Sequence, residues 1–301
     1  MKKIANKIML KLTIFYQIKN ISKTFCFLLL AMCSGLCFAE TQTKDIVSLF
    51  DIKGELTQGS AIIGKIPIGA KLLMNNQAVS VTKEGDFFIG FGRDADLKQS
   101  LQITTASGEK IVETLSLTER EYKLQKVSGV PQNTVAPPSK KNLKRIQQEN
   151  ALVGTARGID SEHRYFLEKF IAPMDSVITG VYGSRRIYNG VPKRPHYGVD
   201  YAGPIGALVY APASGVVTLA HPDMFYSGGT LIIDHGFGVS SSFLHLSEIV
   251  VKEGQEIKQG ELIAKVGKGG RATGPHLDWR MNWFDVRIDP LKVLAINKDT
   301  P

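Results

Sequence analysis

From residue 45 to about 127, apolar and polar positions alternate in short runs broken by turn residues. Examples are Lys71-Leu72-Leu73-Met74 followed by Asn75-Asn76, then Val79-Ser80-Val81, Phe87 to Phe91, Leu101-Gln102-Ile103 and Leu115-Ser116-Leu117, with Gly85, Gly90, Gly92 and Gly108 between them. A period of two in runs this short predicts a small antiparallel β sandwich. Pro131, Pro137 and Pro138 then mark an extended linker, and Ser139 is placed to cap a short helix starting near Lys140, with Leu143, Ile146 and Val153 near helical spacing. A further short helix is expected around Ser161 to Phe170.

From Ile171 on, β-branched runs return with glycine at the turns: Val177-Ile178, Val209 to Ala211, Gly215 to Val217, Thr230 to Ile233, Ser241 to Phe243, Val250-Val251, Ile257 and Glu261 to Val266. Gly254 and Gly260 lie six apart, with apolar residues three before and three after Gly254, which predicts tight turns between strands. The expected fold class is mainly β. The expected organisation is a leader (1–39), a β-sandwich accessory domain (40–128), a Pro-containing linker with a basic helix (129–160), and a C-terminal antiparallel β domain (161–301).

The leader changes how the charge is understood. The chain's 301 residues carry a formal charge of +9, but Lys2, Lys3, Lys7, Lys11, Lys19 and Lys23 lie in the first 39 positions, which hold no acid. Without those six, 31 basic groups face 28 acidic ones, an excess of +3, too small for a duplex-binding field. No nucleic-acid partner is expected. The basic start, the apolar run Phe25 to Leu36 and the small residues ending at Ala39 have the form of a signal peptide. The apolar run is shorter than the roughly 20 residues of a membrane span, so membrane contact is expected only through an uncleaved leader. Cys26, Cys33 and Cys37 all fall inside it, which leaves a processed chain without cysteine. That composition suits an oxidising compartment and excludes a disulfide-stapled scaffold. The protein is expected to be exported, to the periplasm or cell envelope.

Two stretches carry ligand-type residues. In His196-Tyr197-Gly198-Val199-Asp200, an imidazole and a carboxylate lie four residues apart. On a straight strand they would be about 13 Å apart, so convergence on one ion requires a bend, for which Gly198 offers backbone freedom. A hydrogen-bonded histidine and a turn-capping aspartate fit the same pattern. In the second stretch, Thr273 to Asp278, His276 and Asp278 are two apart; on a strand both face one way and Trp279 the other. One imidazole and two carboxylates make three ligands, the number a catalytic metal site uses before water. His235 is expected in a turn after Asp234, His221 in a loop and His163 at the surface. Trp279, Trp283, Phe225 and Tyr226 are read as core or as groove walls.

Residues from Ala172 to Leu294 resemble the LytM-like M23 metallopeptidases, zinc endopeptidases of bacterial cell wall. The resemblance runs through Gly183-Ser184-Arg185, His196 to Asp200, Gly206 to Ala211, Gly215 to Val217, Gly229 to Gly236, Ser241 to Leu246, the Gly254 and Gly260 turns and Thr273 to Leu277. It implies a zinc ion held by His196, Asp200 and position 278, with His245 and His276 as the acid/base pair and peptidoglycan as substrate. Position 278 departs from the family, which has histidine there. An aspartate oxygen binds zinc at roughly 2.0–2.2 Å but is shorter than an imidazole. Two carboxylates bring a divalent ion's formal charge to zero, which weakens its pull on water and tilts the site toward harder ions such as manganese. Two further readings follow. One is a catalytically inactive relative that activates cell-wall amidases, with other wall hydrolases or divisome proteins as partners. The other is a biotin or lipoyl carrier, for which Lys252, Lys258 and Lys268 sit near turns.

Overall fold

The computed structural model describes residues 51–296; the leader expected over 1–39, with its cysteines, lies outside them. The N-terminal part holds β1 (Asp51–Gly54), β2 (Ala61–Lys65), β3 (Lys71–Met74), β4 (Gln77–Val79), β5 (Asp86–Gly90), β6 (Lys98–Thr104) and β7 (Lys110–Ser116). They form two antiparallel sheets, β1-β2-β5 and β4-β3-β6-β7. The alternation in the sequence is visible in their packing: Leu101 and Ile103 on β6 are buried, as are Ile62, Phe87 and Ile89. Phe88 meets Phe166 edge-on, and Phe166 in turn contacts Phe237, so aromatic rings link this sandwich to the C-terminal half.

β8 (Leu124–Val127) does not join that sandwich. It pairs in parallel with β10 (Arg185–Tyr188), which also pairs with β11 (Val191–Lys193). A short helical turn, α1 (Gln132–Val135), precedes α2 (Lys140–Arg157). Ser139 caps α2 as expected, its hydroxyl accepting from the Asn142 N–H, but the helix runs 18 residues rather than being short. Ile146, Glu149 and Ala156 are its buried positions, and Ala156 packs on Leu219, Met224 and Ile232, whereas Leu143 is exposed. The buried Glu149 accepts from Arg145 and from the Phe225 N–H, which pins the helix to the sheet. Near 161–170 only the 3-10 turn Tyr165–Leu167 forms.

The largest sheet contains β9 (Ile178–Gly180), β12 (Val199–Ala202), β13 (Leu208–Tyr210), β14 (Gly215–Met224), β15 (Gly228–Gly236), β16 (Val239–Ile249), β17 (Glu256–Ile257), β18 (Leu262–Val266), β19 (His276–Trp283) and β20 (Val286–Ile288). Its main path is β17-β14-β15-β16-β19-β12-β9, with β18 joining β13 and β16 and β20 paired to β19. α3 (Pro290–Ala295), capped by Asp289, follows. Along β19, Leu277, Trp279, Met281 and Trp283 are buried on one face, leaving His276, Asp278 and Arg280 to the other. The Val250-Val251 run lies beyond the end of β16, and His221 sits inside β14 opposite Thr230 rather than in a loop.

Gly198 serves a different purpose from the one its backbone freedom suggested. It is not among the positive-φ residues. A Cβ there would stand 2.2 Å from Asp278 Oδ1 and 2.8 Å from the Trp279 carbonyl oxygen, so glycine is needed for close approach to β19. Gly198→Ala is therefore expected to destabilise the fold by about 1–3 kcal/mol, as overpacking does. Gly154→Ala, in α2 with nothing within 4 Å of a new Cβ, should stabilise by about 0.5–1 kcal/mol. Chemical denaturation of the two variants checks both signs.

His235 is not in a turn either. It is fully buried; its Nδ1 bonds the Ser214 carbonyl at 2.7 Å and its Nε2 accepts from the Ser241 hydroxyl at 2.8 Å. Burial lowers its pKa from 6.5 to about 4. The unfolded chain therefore binds a proton that the folded one refuses, and stability falls as pH drops from about 6.5 to about 4, levelling off below. The loss at this site is on the order of 3 kcal/mol. Urea unfolding at pH 7.5, 5.5 and 4.5 should show the decline, and His235→Gln should make it shallower, with the part due to the equally buried His245 remaining.

Candidate metal centre

His196 lies in the irregular stretch just before β12, anchored by Gly183 N–H donating to its carbonyl at 2.7 Å and by its own N–H donating to Ser184 O at 2.9 Å. Asp200 is on β12, where it pairs in register with Asp278 on β19. The three side chains therefore reach one point. One ligand atom from each of His196, Asp200 and Asp278 lies within 4.8 Å of the others, and all three residues are buried. His196 Nε2 stands 2.9 Å from Asp200 Oδ1 and 3.5 Å from Asp278 Oδ1. The 2.9 Å approach lacks hydrogen-bond geometry, which leaves His196 Nε2 and Asp200 Oδ1 buried without a hydrogen-bond partner. Two orphaned acceptors aimed at one point are costly unless a cation sits between them. The donor set of one nitrogen and two oxygens fits a divalent ion.

Each carboxylate is held from behind by an arginine. Arg186 Nη2 donates to Asp200 Oδ2 at 2.7 Å. Arg280 grips Asp278 through Nε, at 3.0 Å to Oδ1 and 3.1 Å to Oδ2, and through Nη2. Burial would raise both carboxyl pKa values. For Asp200 the His196 imidazole and Arg186 reverse that and hold it at about 2. For Asp278, Arg280 and His196 hold it well below the usual range. Burial pulls His196 down, but the two carboxylates outweigh it and raise its pKa. The charge expectation from sequence changes accordingly: two guanidinium charges offset the two carboxylates, so a divalent ion would retain its full excess charge. Neither arginine was singled out from the sequence, although Arg280 follows Asp278 by two and the same alternation puts it on the same face.

His245 and His276 stand beside this triad with ring centroids 4.8 Å apart. His276 Nε2 is 3.9 Å from Asp200 Oδ1. The sheet alternation is broken to bring His245 in. His245 has φ of +65°, and the consecutive residues Leu244 and His245 both line the site cavity. A left-handed backbone is uncommon at a residue with a Cβ and costs energy, as it does also at Phe237 and Phe284. Burial lowers the His245 pKa to about 4, so its ring is neutral at pH 7. The three histidines share one device: Nδ1 meets a backbone carbonyl, from Val181 at 3.3 Å for His196, from Gly269 at 2.8 Å for His245 and from Gly274 at 2.9 Å for His276. Each contact fixes the tautomer with hydrogen on Nδ1 and leaves the Nε2 lone pair for other chemistry.

The site opens into a cavity of about 850 Å³. Ile146, Val153 and Arg157 of α2, Val127 and Val130 supply part of its wall. Tyr226 also lines it, beneath the Arg271 guanidinium at 3.7 Å, while Trp279 and Trp283 belong to the core. His163 is exposed and does not line the cavity.

Residues 194–290 match the model of Peptidase family M23. The peptidoglycan DD-endopeptidase ShyB of Vibrio cholerae is 42% identical over 109 residues, which cover 36% of this chain and 24% of that protein. ShyA of the same organism, also a peptidoglycan DD-endopeptidase, is 42% identical over 131 residues, covering 42% of this chain and 29% of its own length. The matches thus span about a quarter of those curated relatives. A Pseudomonas aeruginosa crystal structure assigned to peptidase M23 superposes with a TM-score of 0.64 at 28% identity, over 84% of this chain and 99% of that one. His196, Asp200, His245, His276, Asp278 and Arg280 lie within the matched residues, Arg186 precedes them, and over residues 194–290 this chain is similar to Peptidase family M23.

Proposed function

We propose that this protein is a zinc-dependent endopeptidase that cleaves peptide cross-links of bacterial peptidoglycan in the cell envelope. The observation that carries the reading is the convergence of His196, Asp200 and Asp278, with two orphaned ligand atoms, next to His245 and His276. The relatives named as peptidoglycan DD-endopeptidases supply the substrate class. The leader-like first 39 residues support a cell-envelope location.

In this reading His196, Asp200 and Asp278 hold the ion. A divalent ion held there would supply Lewis-acid polarisation of a peptide carbonyl and activation of water near neutral pH. Arg186 and Arg280 keep both carboxylates ionised and aimed. His245, neutral at pH 7, has an Nε2 lone pair free to take a proton from water. His276, 4.8 Å away by ring centroid, is placed to return a proton to the leaving amine or to steady charge on the carbonyl oxygen. The carbonyls of Gly269 and Gly274 hold the two rings while protons move.

The purified protein, incubated with cross-linked peptidoglycan and zinc, is expected to release uncross-linked peptides separable by chromatography, and chelation should stop it. His245→Ala and His276→Ala should each lower kcat by about 10²–10⁴-fold while keeping bound metal, as loss of a general acid or base does. Asp278→Ala should lose the metal itself, read by elemental mass spectrometry. A protein that takes up no metal and releases no peptide, yet stimulates a wall amidase, would replace this reading with the non-catalytic one.

A further inference from the structure

Beyond Asp278, the sheet face that carries the ligands does not become apolar. The next residue on that face is Arg280, and its cross-strand partner on β16 is Ser242. Over this pair stand two more guanidiniums. Arg157, in the last turn of α2, donates from Nη2 to the Ser242 hydroxyl at 3.0 Å, and Arg287 comes from β20. All three arginines line the same cavity as the ligands. Arg280 has Asp278 as its counter-charge. Among the described residues Arg157 and Arg287 have no carboxylate partner, and Arg157 Nε and Arg287 Nη1 are buried without a hydrogen-bond acceptor. Arg287 has only a distant aromatic contact, 5.8 Å from the Tyr197 ring centroid.

Two unpaired guanidiniums in a partly desolvated cavity are unfavourable in the free protein. Burial, and after it repulsion from Arg287 and Arg280, pulls the Arg157 pKa well below its ordinary value; burial and then Arg280 pull the Arg287 pKa to about 10, with Asp278 opposing both shifts. A planar anion relieves that repulsion and supplies the missing acceptors, and guanidinium groups match carboxylates in both charge and shape. We infer that Arg157 and Arg287, with the Ser242 hydroxyl, form a carboxylate-binding subsite for a substrate peptide that carries a free carboxyl group close to the bond cut. Arg280 lies two residues along β19 from Asp278, about 7 Å by strand geometry. That distance matches about two residues of an extended peptide, which sets how far the carboxylate lies from the scissile bond. This subsite rests on the peptidase reading of the adjoining site and adds the substrate's charge to it.

The test uses two D-alanyl-D-alanine derivatives, one ending in a free carboxylate and one in a carboxamide, titrated into the metal-free protein so that coordination to an ion plays no part. The carboxylate form is expected to bind at least about 10-fold more tightly, the size of a charged hydrogen bond. Arg157→Met and Arg287→Met should each erase most of that difference. In the absence of ligand, Arg287→Met should melt at the same temperature as the parent or higher, because it removes an uncompensated buried charge. A structural arginine would instead lower it. Equal binding of the two peptides, or acetate competing as well as the peptide carboxylate, overturns the subsite and leaves the peptidase reading intact. A carboxylate preference retained by a protein that cuts no peptidoglycan would support the subsite and sink the peptidase reading.

Discussion

Two carboxylates and an imidazole can be buried side by side only because each acid has its own guanidinium. Without Arg186 and Arg280, Asp200 and Asp278 would repel each other in a poorly solvated place and one would take up a proton. With them, each acid turns one face to an arginine and an oxygen of each faces His196. The architecture around the site can be understood as what this arrangement requires. β12 and β19 pair in register at the two acids, and Gly198 and Gly180 leave room for their oxygens; a Cβ at Gly180 would stand 2.1 Å from Asp200 Oδ2. β10 delivers Arg186 and is itself held by β8. The N-terminal chain is thus tied to the site by a parallel strand pair as well as by α2.

Much of this was legible in the residues. Period-two alternation located most strands and put His276 and Asp278 on one face with Trp279 on the other, since a strand leaves no other choice. Ser139 announced the start of α2 because an N-cap is a local bond. The candidate ligands His196, Asp200 and Asp278 were picked out by residue type and resemblance, and their side chains converge. What escaped was set by partners distant in the chain. Arg186 and Arg280 matter through the acids they touch, and Gly198 through a strand about 80 positions later. His235 looked like a turn residue beside glycine, yet its bonds go to Ser214 and Ser241. Arg157 sits at the end of a helix whose own pattern gives no sign of the cavity beneath it.

The cavity itself is a joint product of both halves of the described chain. One wall is the sheet face of β12, β16 and β19; another is α2 and the residues around Val130. Its acids cluster at the candidate ion site, whereas its basic groups extend past it, which gives the cavity a direction: acidic at one end and basic at the other. A peptide lying along β19 would meet both ends.

The backbone at His245 carries a further implication. An L-residue with φ of +65° costs energy that glycine or asparagine would largely avoid. Selection of this protein for thermal robustness alone would therefore drift toward those residues at 245 and discard the imidazole, so a hardened variant found that way would gain degrees and lose the proton-handling group proposed at this position.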